Sequence, residues 1–259
     1  MAKPLILITN DDGISAPGLK ALVEVARELG EVIVVAPDSP QSGQGHAITL
    51  TAPLRLHPTS VFEGIEAYEC SGTPVDCVKL AKHVLAKGRK IDFCLSGVNH
   101  GSNQGVNILY SGTMSAAMEA SLDNIPSIGF SLLDFTWKAD FSEAKPFIKV
   151  LVEYGLTNGF GPTNLLNVNI PKPSEKPIQG IKVCRQANAR WVETFQDGTD
   201  PHGRDYYWLT GNFITDDEGE DTDTWALDNN YISVVPCGHD LTLHAALEPL
   251  AAISTLKVN

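Results

Sequence analysis

Asn10-Asp11-Asp12-Gly13 sets two adjacent carboxylates directly after a short apolar run, Leu5 to Ile8, and before a glycine that frees the backbone to turn. Paired carboxylates can deliver hard oxygen ligands to one divalent cation; an Asx-rich turn capping the next helix is the competing reading. Pro37-Asp38-Ser39-Pro40-Gln41-Ser42-Gly43-Gln44-Gly45-His46 is longer than the roughly two to six residues usual for such a connection. Its glycines leave backbone N–H groups free to approach an anion, and Ser42 offers a hydroxyl to phosphate or metal. A third segment, Ser96-Gly97-Val98-Asn99-His100-Gly101-Ser102-Asn103-Gln104-Gly105, is dominated by neutral amides and hydroxyls. Asn99 and Asn103 can each turn a carbonyl toward a metal or an amide toward a phosphate oxygen. Tyr110-Ser111-Gly112-Thr113 then precedes Met114 to Glu119, which puts hydroxyls and unpaired N–H groups at a helix N-terminus, a natural anion site. Plain N-capping by Ser111 or Thr113 fits the same residues and can coexist with phosphate binding.

These segments share a topological position. Leu5 to Ile8 and Glu31 to Ala36 read as strands buried on both faces, and Leu19, Leu22, Val23, Ala26 and Leu29 recur between them at helical spacing. Pro17 fits the first turn of that helix and Gly30 its end. A strand, helix, strand unit of this length requires a right-handed crossover and a parallel sheet. Residues 46–70 suggest a small antiparallel excursion around Ile48 to Leu50 and Leu54 to Leu56. Thr73-Pro74-Val75-Asp76 reads as a helix start with Thr73 as N-cap. A strand over Ile91 to Leu95 leads into a long loop from Ser96 to Gly112. A helix from Thr113 to Leu122, a strand near Ser127 to Phe130, a helix over Ala144 to Tyr154 and a strand over Leu165 to Ile170 complete the alternation. The expected fold is α/β: a Rossmann-like three-layer core with a mostly parallel sheet. Ligands of such sheets bind beyond the carboxyl ends of the strands, which is where the acidic pair, the two glycine-rich loops and the helix N-terminus fall. That set suits a metal ion holding a phosphoryl group.

Beyond Pro171 the alternation fades. Eight of the 19 aromatic residues lie between Trp191 and Tyr231, as expected of an oligomerisation arm or pocket wall. The division expected is an α/β catalytic core over residues 1–175 and a strand-rich, aromatic C-terminal arm over residues 176–259 that returns to the core, within one overall domain.

Other motifs fail on context. Gly43-x-Gly45 lies too far from its strand, lacks a third glycine and has no acidic partner for a dinucleotide, and no P-loop pattern occurs. His239-Asp240-Leu241-Thr242-Leu243-His244 has no third ligand at a sensible spacing, so a structural role is expected. The acids from Asp216 to Asp223 resemble a calcium loop only in charge and read as a solvated loop.

The 259 residues carry 31 acidic and 19 basic side chains, a net charge of -12. Ten acids and no Lys or Arg lie between Asp205 and Leu256, so most of the chain is nearly balanced. The deficit of basic residues excludes a nucleic-acid polymer as the main ligand. It also means that a phosphate needs a bound cation in place of a basic patch. Five cysteines form no C-x-x-C pair, which suits neither a disulfide framework nor a thiolate zinc site. The N-terminal apolar run is too short for a signal peptide and nothing reads as a membrane span, so a cytoplasmic location is expected.

The ordered set Ile8 to Gly13, Ala16-Pro17-Gly18, Val34 to Asp38, Ser42-Gly43, Ser96 to Asn103, Tyr110 to Thr113 and Ala116 to Glu119 resembles the SurE family of survival-protein nucleotidases, over most of the first 130 residues. The C-terminal region resembles that family's swapped arm more loosely. The resemblance implies a divalent-metal-dependent phosphatase acting on nucleoside 5′-monophosphates, and also on 3′-monophosphates and short polyphosphate in some members. It implies one Mg²⁺ or Mn²⁺ per subunit, held by Asp11, Asp12, Ser42 and Asn99, with Asp11 and Asp12 catalytic. Asn10, Gly43, Asn103, Ser111, Gly112 and Thr113 then fall near the phosphate. Gln41 stands where many members carry Arg. A homodimer or homotetramer through the C-terminal arm is implied as well. The alternative from another class is a nucleotide-binding regulatory protein that keeps the site without turnover.

Overall fold

The structure, a computed structural model, describes residues 3–256. Strand β1 (Leu5–Thr9) is buried throughout, as a strand covered on both faces must be. Helix α1 (Pro17–Leu29) follows with Pro at its first turn, and its chain leaves at Gly30 straight into β2 (Glu31–Pro37), which pairs parallel with β1 from Leu5↔Glu31 to Ile8↔Val34. Helix α2 (Pro74–Leu80) starts on the expected Thr73 cap. Thr73 Oγ1 accepts the Asp76 N–H while the Asp76 carboxylate accepts the Thr73 N–H, a complete capping box. Helix α3 (Gly112–Ser121) is capped by Ser111, whose hydroxyl accepts the Met114 N–H. β6 (Ser127–Leu132), α4 (Ala144–Asn158) and β7 (Leu165–Ile170) continue the alternation.

Two sequence expectations change. The stretch from 46 to 70 is no separate antiparallel excursion. Ile48 to Leu50 is irregular, β3 (Leu56–Pro58) is antiparallel to β4 (Glu66–Cys70), and β4 itself joins the main sheet parallel to β2. β1 occupies one side of β2, and these two strands cover the other, which would otherwise be a long apolar edge. The strand expected to stop at Leu95 runs on: β5 (Phe93–His100) takes in Ser96 to His100 through a bulge, where the pairing with β6 shifts register between Ser96 and Asn99. Gly97 sits in the bulge at φ 125°, and an added Cβ would lie 2.3 Å from the Phe130 carbonyl oxygen. Bulges re-aim the side chains that follow, here Asn99 and His100.

After Ile170 the chain forms β8 (Ile181–Val183), the long hairpin β9 (Ala189–Thr199) and β10 (Asp205–Thr215), the short helix α5 (Asp223–Asp228) and β11 (Ile232–Cys237). β11 returns to the main sheet antiparallel to β7, and β8 flanks it, giving nine strands in the order β3-β4-β2-β1-β5-β6-β7-β11-β8. The hairpin forms its own two-stranded sheet and leaves Phe195, Tyr206, Tyr207 and Trp208 exposed.

Alternation of side chains along the strands builds the three layers. Ile6, Ile8, Val32 and Val34 face α1 and α4, while Leu5, Leu7, Ile33 and Val35 face α2 and α3. Because β4, β2, β1, β5, β6 and β7 are parallel, their carboxyl ends share one edge.

Candidate metal and phosphate site

That edge gathers the acidic pair, the Ser42 loop and the end of β5. Asp11 is buried at the end of β1 with its Oδ1 accepting the Thr113 hydroxyl from α3. Burial pushes its carboxyl pKa up, and the Thr113 hydroxyl together with the Thr113 and Gly112 backbone N–H groups works against that rise. The anion at the N-terminus of α3 is therefore in the first place Asp11 itself, favoured by the helix dipole. An added Cβ on Gly112 would lie 2.7 Å from the Asp11 Cβ, so only glycine lets the helix end approach this closely. Asp12 is half-buried, and its Oδ2 accepts the His100 N–H at 3.4 Å. Burial, and then the charge of Asp11, push the Asp12 carboxyl up to about 7. Two carboxylates so placed repel each other and call for a cation.

The Ser42 loop is tied to the pair through the backbone. The Gln41 N–H donates to the Asp11 carbonyl (2.8 Å) and the Gly45 N–H to the Tyr110 carbonyl (3.2 Å). Ser42 and Gly43 are exposed at its apex, Gly43 at φ 77°. At its far end His46 Nε2 meets the buried Glu119 of α3 at 3.1 Å, and Glu119 also binds Lys79 of α2. Glu119 was legible only as part of a motif, without a role.

Asn99 donates its side-chain amide to the Gly101 carbonyl (2.8 Å), which leaves its Oδ1 as an acceptor. Two oxygens from carboxylates and two from a hydroxyl and an amide are a donor set for a hard divalent ion. Among the described residues no three His, Cys, Asp or Glu side chains cluster around a common point; a site with two carboxylates and neutral oxygens has no such cluster.

Three expected phosphate contacts have local duties. Asn10 is fully buried, with its amide donating to the Gly13 carbonyl (3.0 Å) and accepting the Gly13 N–H (3.2 Å); it builds the turn that presents Asp11 and Asp12 and has no surface for a phosphate. Ser111 caps α3, and the buried Asn103 gives its backbone N–H to Asn169 Oδ1 and one side-chain N–H to the Ser131 hydroxyl. His100 is half-buried, with its Nε2 shut away from solvent. Its ring is fixed by Nδ1 donating to the Thr136 carbonyl (2.9 Å) and by stacking on Trp137.

The acidic stretch from Asp216 to Asp223 is more than a solvated loop. Asp217 and Asp221 pair with Arg185, which holds the Asp217 carboxyl well below its ordinary range. The buried Asp223 accepts the N–H groups of Gly105 and Ala187 (2.9 Å each) and so clamps the C-terminal segment to the site loop. Thr222-Asp223 carried an N-cap signal for α5, but no local signal for the contact with Gly105. His244 pairs with Asp240 on the surface, far from a ligand set.

Sheet order defines a Rossmann-like α/β protein that carries an acidic pair and glycine-rich loops at the carboxyl edge of its sheet. The family model described as Survival protein SurE matches residues 6–193. The chain is 59% identical over 250 residues to the 5′-nucleotidase SurE of Cytophaga hutchinsonii, covering 96% of each chain, and 57% identical to that of Flavobacterium psychrophilum, covering 96% of this chain and 97% of the other. The crystal structure of SurE protein from Aquifex aeolicus superposes with a TM-score of 0.82 at 38% identity, over 97% of this chain and all of that one. The chain belongs to the SurE family. Among the described residues no helix is long and apolar enough to cross a membrane.

Proposed function

We propose that the protein is a divalent-metal-dependent 5′-nucleotidase that hydrolyses nucleoside 5′-monophosphates to nucleoside and phosphate, with 3′-monophosphates and short polyphosphate as further substrates. Family membership and relatives named 5′-nucleotidase support the activity. The observation that carries the site is the pair Asp11 and Asp12, half-buried to buried at one sheet edge and mutually repulsive without a cation. We infer one Mg²⁺ or Mn²⁺ per subunit, held by Asp11, Asp12, Ser42 and Asn99, supplying Lewis acidity to the phosphoryl group. Asp11, with Asp12 beside it in the catalytic pair, orients the attacking water or takes its proton. Asp11 is held still by Thr113 at Oδ1, and as a carboxylate that would bind the metal it is a weakened covalent nucleophile. The Gly43 N–H and the free edges of Asn103 and Ser111 bind the phosphate oxygens, beside the α3 end at which Gly112 and Thr113 hold Asp11. We infer further that the exposed β9–β10 hairpin is the arm through which the chain forms a homodimer or homotetramer, and that five unpaired cysteines suit a cytoplasmic location.

The test is phosphate release from AMP and GMP with Mn²⁺ or Mg²⁺, against EDTA. Release that requires the metal is expected. No release with any metal, alongside measurable nucleotide binding, would overturn the enzymatic reading in favour of a binding protein.

A further inference from the structure

The loop after β6, residues 133–143, lies on the same sheet edge as Asp11 and Asp12, because β6 runs parallel to β5 and β5 to β1. It exposes two large aromatic side chains, Phe135 at 75% and Trp137 at 56%. Exposed aromatic surface beside a polar site is costly to hydrate and marks a place where a ligand packs. Both rings are anchored to the segment that touches Asp12. Phe135 lies over Gly101 so closely that an added Cβ there would meet its Cε1 at 2.3 Å. Trp137 stacks on His100 with ring centroids 5.4 Å apart and planes 16° from parallel, while Phe141 meets the same imidazole edge-on. The His100 N–H in turn donates to Asp12. The aromatic rings are thus fixed on His100 and Gly101, the segment whose backbone N–H reaches the carboxylate pair.

Apart from the exposed Lys138, the polar groups of the loop are mostly committed to the loop itself or to its neighbours. Asp134 accepts the Thr136 N–H and pairs with Lys172 (3.4 Å), the Thr136 carbonyl takes His100, and Asp140 accepts the Ser142 N–H. What the loop offers a ligand is chiefly π surface and one ammonium, Lys138, without the paired donors and acceptors that read a base edge.

We propose that Phe135 and Trp137 form the platform on which the nucleobase of the substrate stacks while its phosphate lies at Asp11 and Asp12. Stacking is tolerant of sequence because every base has a π face, and it favours the larger purine over the pyrimidine. The platform therefore gives affinity for nucleotides over base-less phosphate esters, with a graded preference for purines and no strict base identity.

This inference rests on the nucleotidase reading, and the experiment separates the two. Steady-state hydrolysis of AMP, CMP and ribose 5-phosphate is measured for the wild type, Phe135→Ala, Phe135→Leu and Phe135→Trp, with far-UV circular dichroism and thermal melting to confirm folding. The expected result for Phe135→Ala is a KM for AMP raised roughly tenfold, consistent with the worth of one base–aromatic stack, with kcat little changed. The preference for AMP over ribose 5-phosphate falls by the same factor. Phe135→Leu, which keeps apolar bulk but loses the π face, follows alanine, and Phe135→Trp keeps the AMP preference of the wild type. An unchanged KM for AMP, or an equal loss on AMP and ribose 5-phosphate, overturns the platform. A change in oligomeric state on size exclusion with an unchanged KM also overturns it, since the ring then serves a protein contact. Failure of the wild type to release phosphate from AMP takes down the nucleotidase reading itself.

Discussion

Asp12→Asn tests the electrostatics of the site directly, because it removes one charge while keeping the size and shape of the side chain. In the folded protein the Asp12 carboxyl is pushed from its ordinary value of 3.8 up to about 7, first by burial and then by the charge of Asp11. Each unit of such a rise is worth about 1.4 kcal/mol, so ionised Asp12 costs the metal-free fold about 4 kcal/mol at full burial, and about 2–3 kcal/mol once solvent screens its open side. Below pH 3.8 folded and unfolded chains both carry the proton, and no stability is lost. As pH rises through about 7 the folded state must ionise Asp12 beside Asp11, and the full cost appears. Asparagine never ionises. In EDTA at about pH 8 the variant is therefore expected to be more stable than wild type by about 2–3 kcal/mol, with the difference shrinking to about 1 kcal/mol or less near pH 5. Mn²⁺ reverses the ranking: it stabilises the wild type at about pH 8 by mass action, and the variant, short of one charged ligand, gains little. Urea denaturation at the two pH values, with EDTA and with Mn²⁺, reads all four states. Equal stability of the two proteins in EDTA at about pH 8, or equal stabilisation of both by Mn²⁺, would refute the reasoning and remove Asp12 from the metal site.

Thr113→Val keeps the shape of the side chain but removes the hydroxyl that holds Asp11 Oδ1. A hydrogen bond to a charged group is worth about 1.5–3 kcal/mol, so Mn²⁺ affinity measured by calorimetry is expected to fall about tenfold or more; an unchanged affinity would show that this bond does not position the carboxylate. Gly18→Ala should destabilise the protein although alanine is the better helix former by about 1 kcal/mol. Its Cβ would lie 1.9 Å from the Val98 carbonyl oxygen, where α1 crosses the β5 bulge, and the resulting shift costs about 2 kcal/mol or more; a raised denaturation midpoint would mean that helix and bulge are not in contact.

Most of the fold was legible from local rules. Pro17 and Gly30 bracket α1, Thr73 and Asp76 start α2, Ser111 starts α3, and continuous apolar runs mark β1, β2, β6 and β7. The extension of β5 to His100 was missed because Ser96-Gly97-Val98-Asn99 has a turn-like composition, and only the pairing with β6 on both sides of a bulge makes it a strand. β4 was missed because Glu66-Ala67-Tyr68-Glu69-Cys70 carries two acids and no apolar run, and nothing in that pattern names β2 as its neighbour.

The sequence by itself determined the chemistry available: two adjacent carboxylates, a serine in a glycine-rich loop, amides in place of basic residues, and a parallel α/β scaffold with all of these at strand ends. Tertiary structure decided how that chemistry is spent. Asn10 turned inward to Gly13, Asp11 took the N-terminus of α3, Asp223 became a clamp, and His100 became part of an aromatic wall. The physical reason is range. Capping, turns and periodicity act over a few residues, whereas the bonds from His100 to Asp12, Thr113 to Asp11 and Gly105 to Asp223 join residues 88, 102 and 118 positions apart, and strand order alone brings such residues together.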